Sequence, residues 1–514
     1  MEWENVINQF STEFLKKREQ AEGFDASKHS FYIHDPEMQY LSMLLTGYID
    51  NHYYMSAKEV MELAVPLHRN ILLKDPDFHM ESLKVARRYG AMKDQVMIGL
   101  LLWSKHPNRK EKFGEISELL STFPPNQIVR KFINTKRNEP KLFGGLGTFE
   151  KKLLKHIWSL WAGQGKIYYY FAKYRRYMQQ IVNVAHIRVS EKEFSYLSNP
   201  TKYVGNSDYL LSISKFLSSK DPRFLPDKAP FELVRSNIPK INWTVDILKK
   251  CDITGNTVVL QACSLYEAFK EEILDYIERA VNSPTVTADK ILKALIMAAE
   301  KDYEDLAESL AKAYVEKVKI AYQQLLLPLP EKPSMCLVID ASGSMYPGCS
   351  GGYFTKVIAS VAPFAPLVRS LILFSDNAGT HDPSLLMSWD GINEIQEIAS
   401  TKYNSCTDIT AALELAKEQK EVNTVIIATD EQANVTTSER TEMEHIKDML
   451  DDGIKVIVLN PTPYPIHISD IRDKRLIYVP APNPESVTAA LKLIQLRKEL
   501  QNATAKEVIA KLLQ

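Results

Sequence analysis

The 514-residue chain is poor in cysteine: it has five, and none of them lies in the first 250 residues. No two cysteines form a Cys-x-x-Cys pair, which argues against a zinc ribbon and against a disulfide framework. The pattern favours a protein of a reducing compartment, and we expect a cytoplasmic location.

Long apolar runs are also missing. The chain has no stretch of about 18 consecutive apolar residues, the length that a membrane helix needs. Its first residues, Met1-Glu-Trp-Glu-Asn5, show no basic region followed by an apolar one. These absences predict a protein without a membrane partner and argue against a secreted or cell-surface role.

The net charge is also small: the chain has 63 Lys and Arg and 64 Asp and Glu, which gives a net charge of −1. Any nucleic-acid binding would therefore need a local basic patch. Residues 136–176 provide one, with ten basic and two acidic residues and nine interleaved aromatics. Basic side chains neutralise phosphates, and aromatic side chains stack on unpaired bases. The alternative is a solvated basic helix face whose aromatics, Trp158, Trp161 and Phe171 among them, lie in the core.

Oxygen-bearing side chains follow a short apolar segment at 335–339. The run Asp340-Ala-Ser-Gly-Ser344 places one carboxylate and two hydroxyls directly after this predicted strand. Two later segments have a related form: Ser405-Cys-Thr-Asp408 opens a predicted helix, and the predicted strand 424–428 is followed by Thr429-Asp430. Ligands of open α/β sheets bind beyond the carboxyl ends of the strands. Hard oxygen ligands suit Mg²⁺, Mn²⁺ or Ca²⁺ rather than zinc.

Together the three segments resemble the metal-ion-dependent adhesion site of von Willebrand factor A domains. The resemblance implies that a divalent cation is held directly or through water by Asp340, Ser342, Ser344, Thr407 and Asp430. It also implies an open coordination position, which a carboxylate of a partner protein can fill. Magnesium is the expected cation, and manganese and calcium stay open. The alternative is that Asp340 and Asp430 only cap helices or accept from loop amides.

The two halves of the chain differ in pattern, which predicts a multidomain protein. Apolar residues recur at helical spacing up to about residue 325, which favours an all-α, HEAT-like solenoid or ring. Strands then alternate with helices, which predicts a doubly wound α/β domain. Three prolines at 328–333 separate the halves. The predicted limits are 1–327 for the helical domain, 328–333 for the linker, 334–500 for the A-like domain and 501–514 for a helical tail.

Short motifs in the helical half resemble the TROVE domain of Ro ribonucleoproteins. They are the small-residue loop and basic helix of 144–155, Lys173-Tyr-Arg-Arg176, 179–188, 230–237, 242–248 and 286–295. An A-like domain follows directly, as it does in Ro proteins. The resemblance spans roughly residues 135–500. At Tyr177-Met178 the chain departs from the family pattern, because the polar residue that starts the next helix is missing.

The resemblance implies a ring of HEAT repeats that binds non-coding RNA. In the family, structured Y RNAs bind a basic outer surface, and single-stranded 3′ ends of misfolded RNAs enter the central hole. Carried over to this chain, it implies RNA contacts from Lys166, Lys173, Arg175, Arg176 and Arg188. The departure at Tyr177-Met178 bears on recognition of Y-type RNA more than on RNA binding in general.

We therefore expect a non-catalytic RNA-binding scaffold whose metal site recruits a protein partner or stabilises its own loop. The sequence contains no phosphate-binding Gly-x-x-x-x-Gly-Lys-Ser/Thr motif and no recognisable nucleophile–base pair. It therefore gives no argument for an enzyme. Two alternatives stay open: a protein-only adaptor that assembles a complex through the metal site, and a subunit of a larger ribonucleoprotein particle.

Overall fold

The computed structural model describes residues 36–46, 57–89, 93–326, 333–345, 352–403, 406–430, 440–461, 476–480, 482–499, 506–507 and 509–510. The predicted linker lies outside the described residues except for Pro333. The chain divides into two compact units: Met97–Ala280, the helical unit, and Met1–Val96 together with Val281–Gln514, the sheet unit. The domain limits drawn from the sequence follow chain order instead, and they stay a prediction.

Helices make up nearly all of the regular structure in the helical unit. Four of them are used below: α1 (Thr148–Gly163), α2 (Ile167–Ala185), α3 (Glu191–Ser198) and α4 (Asp208–Ser219). The others are Phe113–Ser121, Pro125–Gln127, a π-helical turn at Ile128–Ile133, Asn134–Asn138, Pro140–Phe143, Phe231–Asn237, Val245–Lys250, Gly255–Leu260, Ala262–Phe269 and Leu274–Ala280. Helix Lys93–Trp103 spans the boundary in sequence between the units.

The packing of α1 follows from its sequence. Leu153, Leu154, Ile157 and Trp161 recur at helical spacing and are buried on one face. At the start of the helix a carboxylate oxygen of Glu150 accepts the N–H of Gly147 at 2.8 Å, which satisfies a donor that the helix leaves unpaired. The preceding loop is thereby held against the first turn of α1.

A buried ion pair supports that same loop. Lys136 is 1% exposed, and its Nζ lies 3.0 Å from Oε1 of Glu150. The ammonium also donates to the hydroxyl of Ser104 at 2.6 Å and to the carbonyl of Phe143 at 2.7 Å. Burial lowers the pKa of Lys136, and the attraction of Glu150 opposes that effect. The pair therefore joins three helical segments of the unit through one cation.

The sheet unit contains a six-stranded sheet. Its strands are β1 (Met335–Asp340), β2 (Val368–Phe374), β3 (Ala378–His381), β4 (Thr424–Ala428), β5 (Lys455–Asn460) and β6 (Leu476–Pro480). Their order is β3-β2-β1-β4-β5-β6, and all pairs are parallel except β2 with β3. The predicted fold class is confirmed in this form: a mostly helical region is followed by a mostly parallel sheet with helices.

Helices from both ends of the chain complete the sheet unit. Pro36–Thr46 contacts Pro484–Glu499, and Lys506 forms an ion pair with Asp75. The remaining helices are Ala57–Lys74, Pro76–Tyr89, Ala288–Ala299, Glu304–Leu326, Tyr353–Val361, Trp389–Lys402, α5 (Ile409–Glu418) and Glu442–Asp451. None of the helices in the described ranges combines the length and apolar character needed to cross a bilayer.

We predict that Lys136→Met destabilises the helical unit by about 3–5 kcal/mol, because it leaves the buried carboxylate of Glu150 without its cation. Urea-induced unfolding followed by circular dichroism measures the change. The control is Lys152→Met, an exposed lysine of α1, which should shift the free energy of unfolding by no more than about 0.5 kcal/mol. The double variant Lys136→Met/Glu150→Gln should recover part of the loss; equal stability of wild type and Lys136→Met would contradict the assignment.

Candidate functional site

Two carboxylates lie at the carboxyl ends of the central strands of the sheet. Strand β1 ends in Asp340, and β4, its neighbour, ends at Ala428, two residues before Asp430. The order of the strands reverses here, because β2 lies on one side of β1 and β4 lies on the other. Such a switch point opens a crevice at the carboxyl ends of the strands, where ligands bind in open α/β sheets.

Asp340 is fully buried and is oriented from both sides. Its Oδ1 accepts the backbone N–H of Ser342 at 2.9 Å, and its Oδ2 accepts the hydroxyl of Thr429 at 2.8 Å. The hydroxyl oxygens of Ser342 and Ser344 lie 3.1 Å apart. The contact of Thr429 with Asp340 was not predicted from the sequence. The available signal was the position of Thr429 beside Asp430 at the end of a strand.

Thr407 reaches this edge through the start of α5. It is 1% exposed and precedes Asp408, the residue that caps the helix. The N–H of Asp408 donates to the carbonyl of Ser375 at 2.5 Å, and Ser375 follows directly after β2. Oδ1 of Asp408 accepts from the N–H of Thr410 at 3.0 Å. Asp408 is therefore a structural anchor for the segment that carries Thr407, the residue of this segment that the sequence predicts as a ligand.

The electrostatics of this edge match a cation site. Burial raises the pKa of Asp340 to about 7, the hydrogen bonds from Ser342 and Thr429 oppose the rise, and the nearby Asp430 carboxylate adds to it. Two buried carboxylates that repel each other, surrounded by hydroxyls, form a set of hard oxygen donors. These residues fit a divalent cation such as Mg²⁺, which such ligands prefer.

The predicted RNA-binding residues fall into two groups. Lys166, Arg176 and Arg188 are exposed on or beside α2. Lys173 and Arg175 are held within the protein instead. Nζ of Lys173 lies 3.0 Å from Oε1 of Glu232, and the guanidinium of Arg175 donates to the carbonyl of Leu197 at 2.6 Å, near the end of α3. Backbone carbonyls at a helix end are natural partners for a cation.

Other basic residues of 136–176 also differ in exposure. Lys136, which contributed to the predicted patch, is buried in the ion pair described above. On α1, Lys152, Lys155 and His156 are exposed at helical spacing and form one face. This face was inside the predicted patch, but the sequence did not separate it from the buried side of the helix.

The aromatic residues of the patch are mostly core. Trp161 and Phe171 are buried, and the indole N–H of Trp161 donates to the carbonyl of Ser121 at 3.1 Å. Burial raises the pKa of Tyr174 to about 12. Tyr168 remains exposed, and its hydroxyl donates to Glu193 at 3.2 Å. Few aromatic side chains of residues 136–176 are therefore available to stack on bases. The exposed side chains of this stretch that could contact RNA are mainly lysines and arginines.

Charge is divided unequally between the two units. Residues 97–280 contain 29 Lys and Arg against 18 Asp and Glu, a net charge of +11, and the rest of the chain carries −12. A net charge of −1 over the whole chain therefore hides a strongly basic helical unit. Fields of this kind attract polyanions.

The fold is similar to that of a solved structure, the Ro (RSR) protein of Deinococcus radiodurans. The TM-score is 0.62 at 14% sequence identity, and the match covers 90% of this chain and 99% of that one. No protein-family model matches the sequence, and no curated protein matches it.

The chain has the fold of a Ro protein. The resemblance drawn from the short motifs is confirmed at this level. At 14% identity the likeness concerns the architecture and not the side chains. The ligand and RNA-binding residues of this Ro-like chain therefore rest on its own geometry, and they stay predictions.

We predict that Asp340→Asn removes stabilisation by Mg²⁺ or Mn²⁺. A cation bound only by the folded state adds about 2.7 kcal/mol at 100 times its dissociation constant, and loss of the central carboxylate should abolish this gain. Thermal unfolding with and without metal measures it. The control is Asp390→Asn, an exposed carboxylate in the same unit. A wild-type-like response of Asp340→Asn to metal would place the site elsewhere.

Proposed function

We propose that this protein is a non-catalytic, Ro-type RNA-binding scaffold that binds structured or misfolded non-coding RNA. The observation that carries the proposal is the concentration of positive charge in the helical unit of a Ro-like fold, +11 in residues 97–280. Lysine and arginine that neutralise phosphates release condensed counterions, which supplies affinity without reading sequence.

The contacts to RNA are assigned to the exposed cations. Lys166, Arg176 and Arg188 on α2 and its flanks would meet phosphates, and the exposed face of α1, with Lys152 and Lys155, would extend this surface. Lys173 and Arg175 position α2 against neighbouring segments through Glu232 and the carbonyl of Leu197. Their replacement would thus change the fold locally and the RNA contacts only indirectly.

The metal site has a separate role in this proposal. A divalent cation held by Asp340, Ser342, Ser344, Thr407 and Asp430 would supply positive charge and an open coordination position for a carboxylate of a protein partner. The five side chains are buried or half-buried at one edge of the sheet, and each of them offers an oxygen donor to a cation. Recruitment of a partner by charge therefore suits this edge.

One observation favours a second candidate, the protein-only adaptor. The donor set of the metal site lies wholly in the sheet unit, which carries −12, while the basic residues lie in the helical unit. Metal-dependent binding of an acidic protein without any RNA would favour this function. A native mass far above that of one 58.6 kDa chain in purified complexes would instead favour a subunit of a larger ribonucleoprotein particle.

A reducing compartment, and the cytoplasm in particular, fits the proposal. The cysteines within the described ranges, Cys251, Cys263, Cys336 and Cys406, are free thiols. Burial raises the pKa of Cys251 and of Cys336 to about 12, which keeps both protonated and inert.

The direct test is RNA binding at several salt concentrations with a stem-loop that carries a single-stranded 3′ tail and with the blunt stem alone. We expect binding below about micromolar affinity that weakens as salt rises, since phosphate contacts dominate. Tail-dependent affinity would add the single-stranded end to the ligand. Absence of binding to both probes at low salt would overturn the proposed function.

Neutralising the exposed cations tests the assigned surface. We predict that Lys166→Gln/Arg176→Gln/Arg188→Gln weakens RNA binding and reduces the slope of log affinity against log salt by about 2 to 3, roughly 0.9 for each lost phosphate contact. Fluorescence anisotropy at four or more salt concentrations gives the slope.

The matched control removes three exposed lysines of the sheet unit, Lys312, Lys319 and Lys402, in the same way. It changes the net charge equally but leaves the helical unit intact, so the slope should stay near that of the wild type. Equal losses in both triple variants would mean that general charge, and not this surface, governs binding.

A further inference from the structure

A groove in the helical unit lies apart from the residues assigned to RNA so far. It has a volume of about 530 Å³, within the roughly 300–1,000 Å³ typical of small-molecule sites. The segment 201–204, one face of α4 and Phe224, the last residue of the turn Pro222–Phe224, form its walls. All of these residues belong to the basic unit, so the groove lies in a positive field.

Two cations stand at this groove without a carboxylate. Lys202 and Lys215 line it, both are exposed, and neither forms an ion pair with a residue that the structure describes. Of the two acidic residues nearest in sequence, Asp208 does not line the groove, and Asp221 is already paired with Arg223, whose Nη2 lies 2.6 Å from Oδ2 of Asp221. The lysines are therefore available to an external anion.

The groove also presents apolar surface to solvent. Phe224 is 39% exposed and Val204 is 78% exposed, and both line the groove. Nζ of Lys215 lies over the Phe224 ring, 6.0 Å from its centre, so one face of the ring carries a cation. An exposed aromatic ring flanked by lysines is the combination with which proteins hold unpaired nucleotides: the base stacks and the phosphate pairs.

Internal hydrogen bonds hold the walls in place. The hydroxyl of Ser218 on α4 donates to the carbonyl of Thr201 at 2.9 Å, and the backbone N–H of Asp221 donates to the hydroxyl of Ser219 at 3.1 Å. Tyr203 lies so close over Gly205 that a Cβ there would come within 2.1 Å of the ring. A groove that is held open in this way loses little conformational freedom when a ligand binds.

We infer that this groove binds one unpaired nucleotide of a single-stranded RNA segment, with the base against Phe224 and Val204 and the phosphate between Lys202 and Lys215. The inference rests on the proposed function and adds a second, stacking type of contact to the phosphate contacts of α1 and α2. Stacking tolerates any base, so the groove selects unpaired over paired nucleotides rather than a particular sequence.

The experiment compares Phe224→Leu with wild type on a single-stranded oligouridine and on the blunt stem-loop. Leucine keeps apolar volume at this half-exposed position and removes the aromatic face, so folding is retained. We expect affinity for oligouridine to fall by about 5- to 150-fold, the range for loss of one stacked base, while affinity for the blunt stem stays unchanged. Phe224→Tyr should keep wild-type affinity for both probes.

The matched control is Phe194→Leu, because Phe194 of α3 is exposed to the same extent, 40%, in the same unit and does not line the groove. Equal losses for Phe194→Leu and Phe224→Leu, equal losses for stem and oligouridine, or unchanged affinity in Phe224→Leu would each overturn the inference. If affinity is unchanged in Phe224→Leu while the wild type binds RNA, the groove inference fails and the proposed function is retained. If the wild type binds neither probe, the proposed function fails first and the groove inference falls with it.

A crosslinking measurement gives an independent answer. Oligouridine that contains 4-thiouridine, irradiated on the full-length protein and digested, should attach to the peptides that contain Tyr203 or Phe224. Crosslinks confined to peptides of α1 and α2 would contradict the groove as the site of the unpaired base.

Discussion

The complete burial of β1 is the constraint on which the candidate metal site depends. All six residues of this strand, which lies between β2 and β4, are buried, and the five before Asp340 are apolar. Asp340, at the carboxyl end, is the first polar side chain of the strand. Because β4 is parallel to β1 and equally buried, Asp430 emerges at the same edge. The candidate metal site thus follows from two buried parallel strands that end side by side.

The helical unit is organised by a different constraint, the placement of a large excess of cations. A buried lysine is tolerated only where oxygens surround it, and Lys136 has a carboxylate, a hydroxyl and a carbonyl within 3.0 Å. Lys173 and Arg175 are likewise satisfied by Glu232 and by the carbonyl of Leu197. The cations that remain exposed, such as Arg176 and Lys152, have solvent as their default partner. In the proposed function they form the surface at which a polyanion replaces water and counterions.

In the proposed function the sheet unit and the helical unit have different roles. The sheet unit supplies hard oxygen ligands in a negative environment, which suits a cation and an acidic protein partner. The helical unit supplies positive charge and, at the groove of α4, an aromatic face beside two lysines, which suits phosphate and an unpaired base. Affinity, selection of unpaired ends and recruitment then reside in different residues.

The strands and the metal-site motif could be predicted from the sequence because each depends on neighbours in the chain. An apolar run followed by Asp340-Ala-Ser-Gly-Ser344 implies a buried strand and a ligand loop at its end, and the structure has β1 there. The antiparallel β3 was missed, since Ala378–His381 is short and only partly buried and thus lacks an apolar run. Thr429 was missed as a partner of Asp340 because the two lie 89 residues apart.

Only the tertiary structure decided which members of the basic stretch can meet a ligand. Lys136 and Lys152 are the same residue type in one segment, yet one is buried and the other exposed, because exposure depends on what packs against each side of a helix. The ion pair between Asp75 and Lys506, which lie far apart in the chain, was equally beyond sequence periodicity. Composition and local pattern thus determined the elements and the metal-site residue types. Packing between distant segments decided their partners, and with them the surface left for RNA.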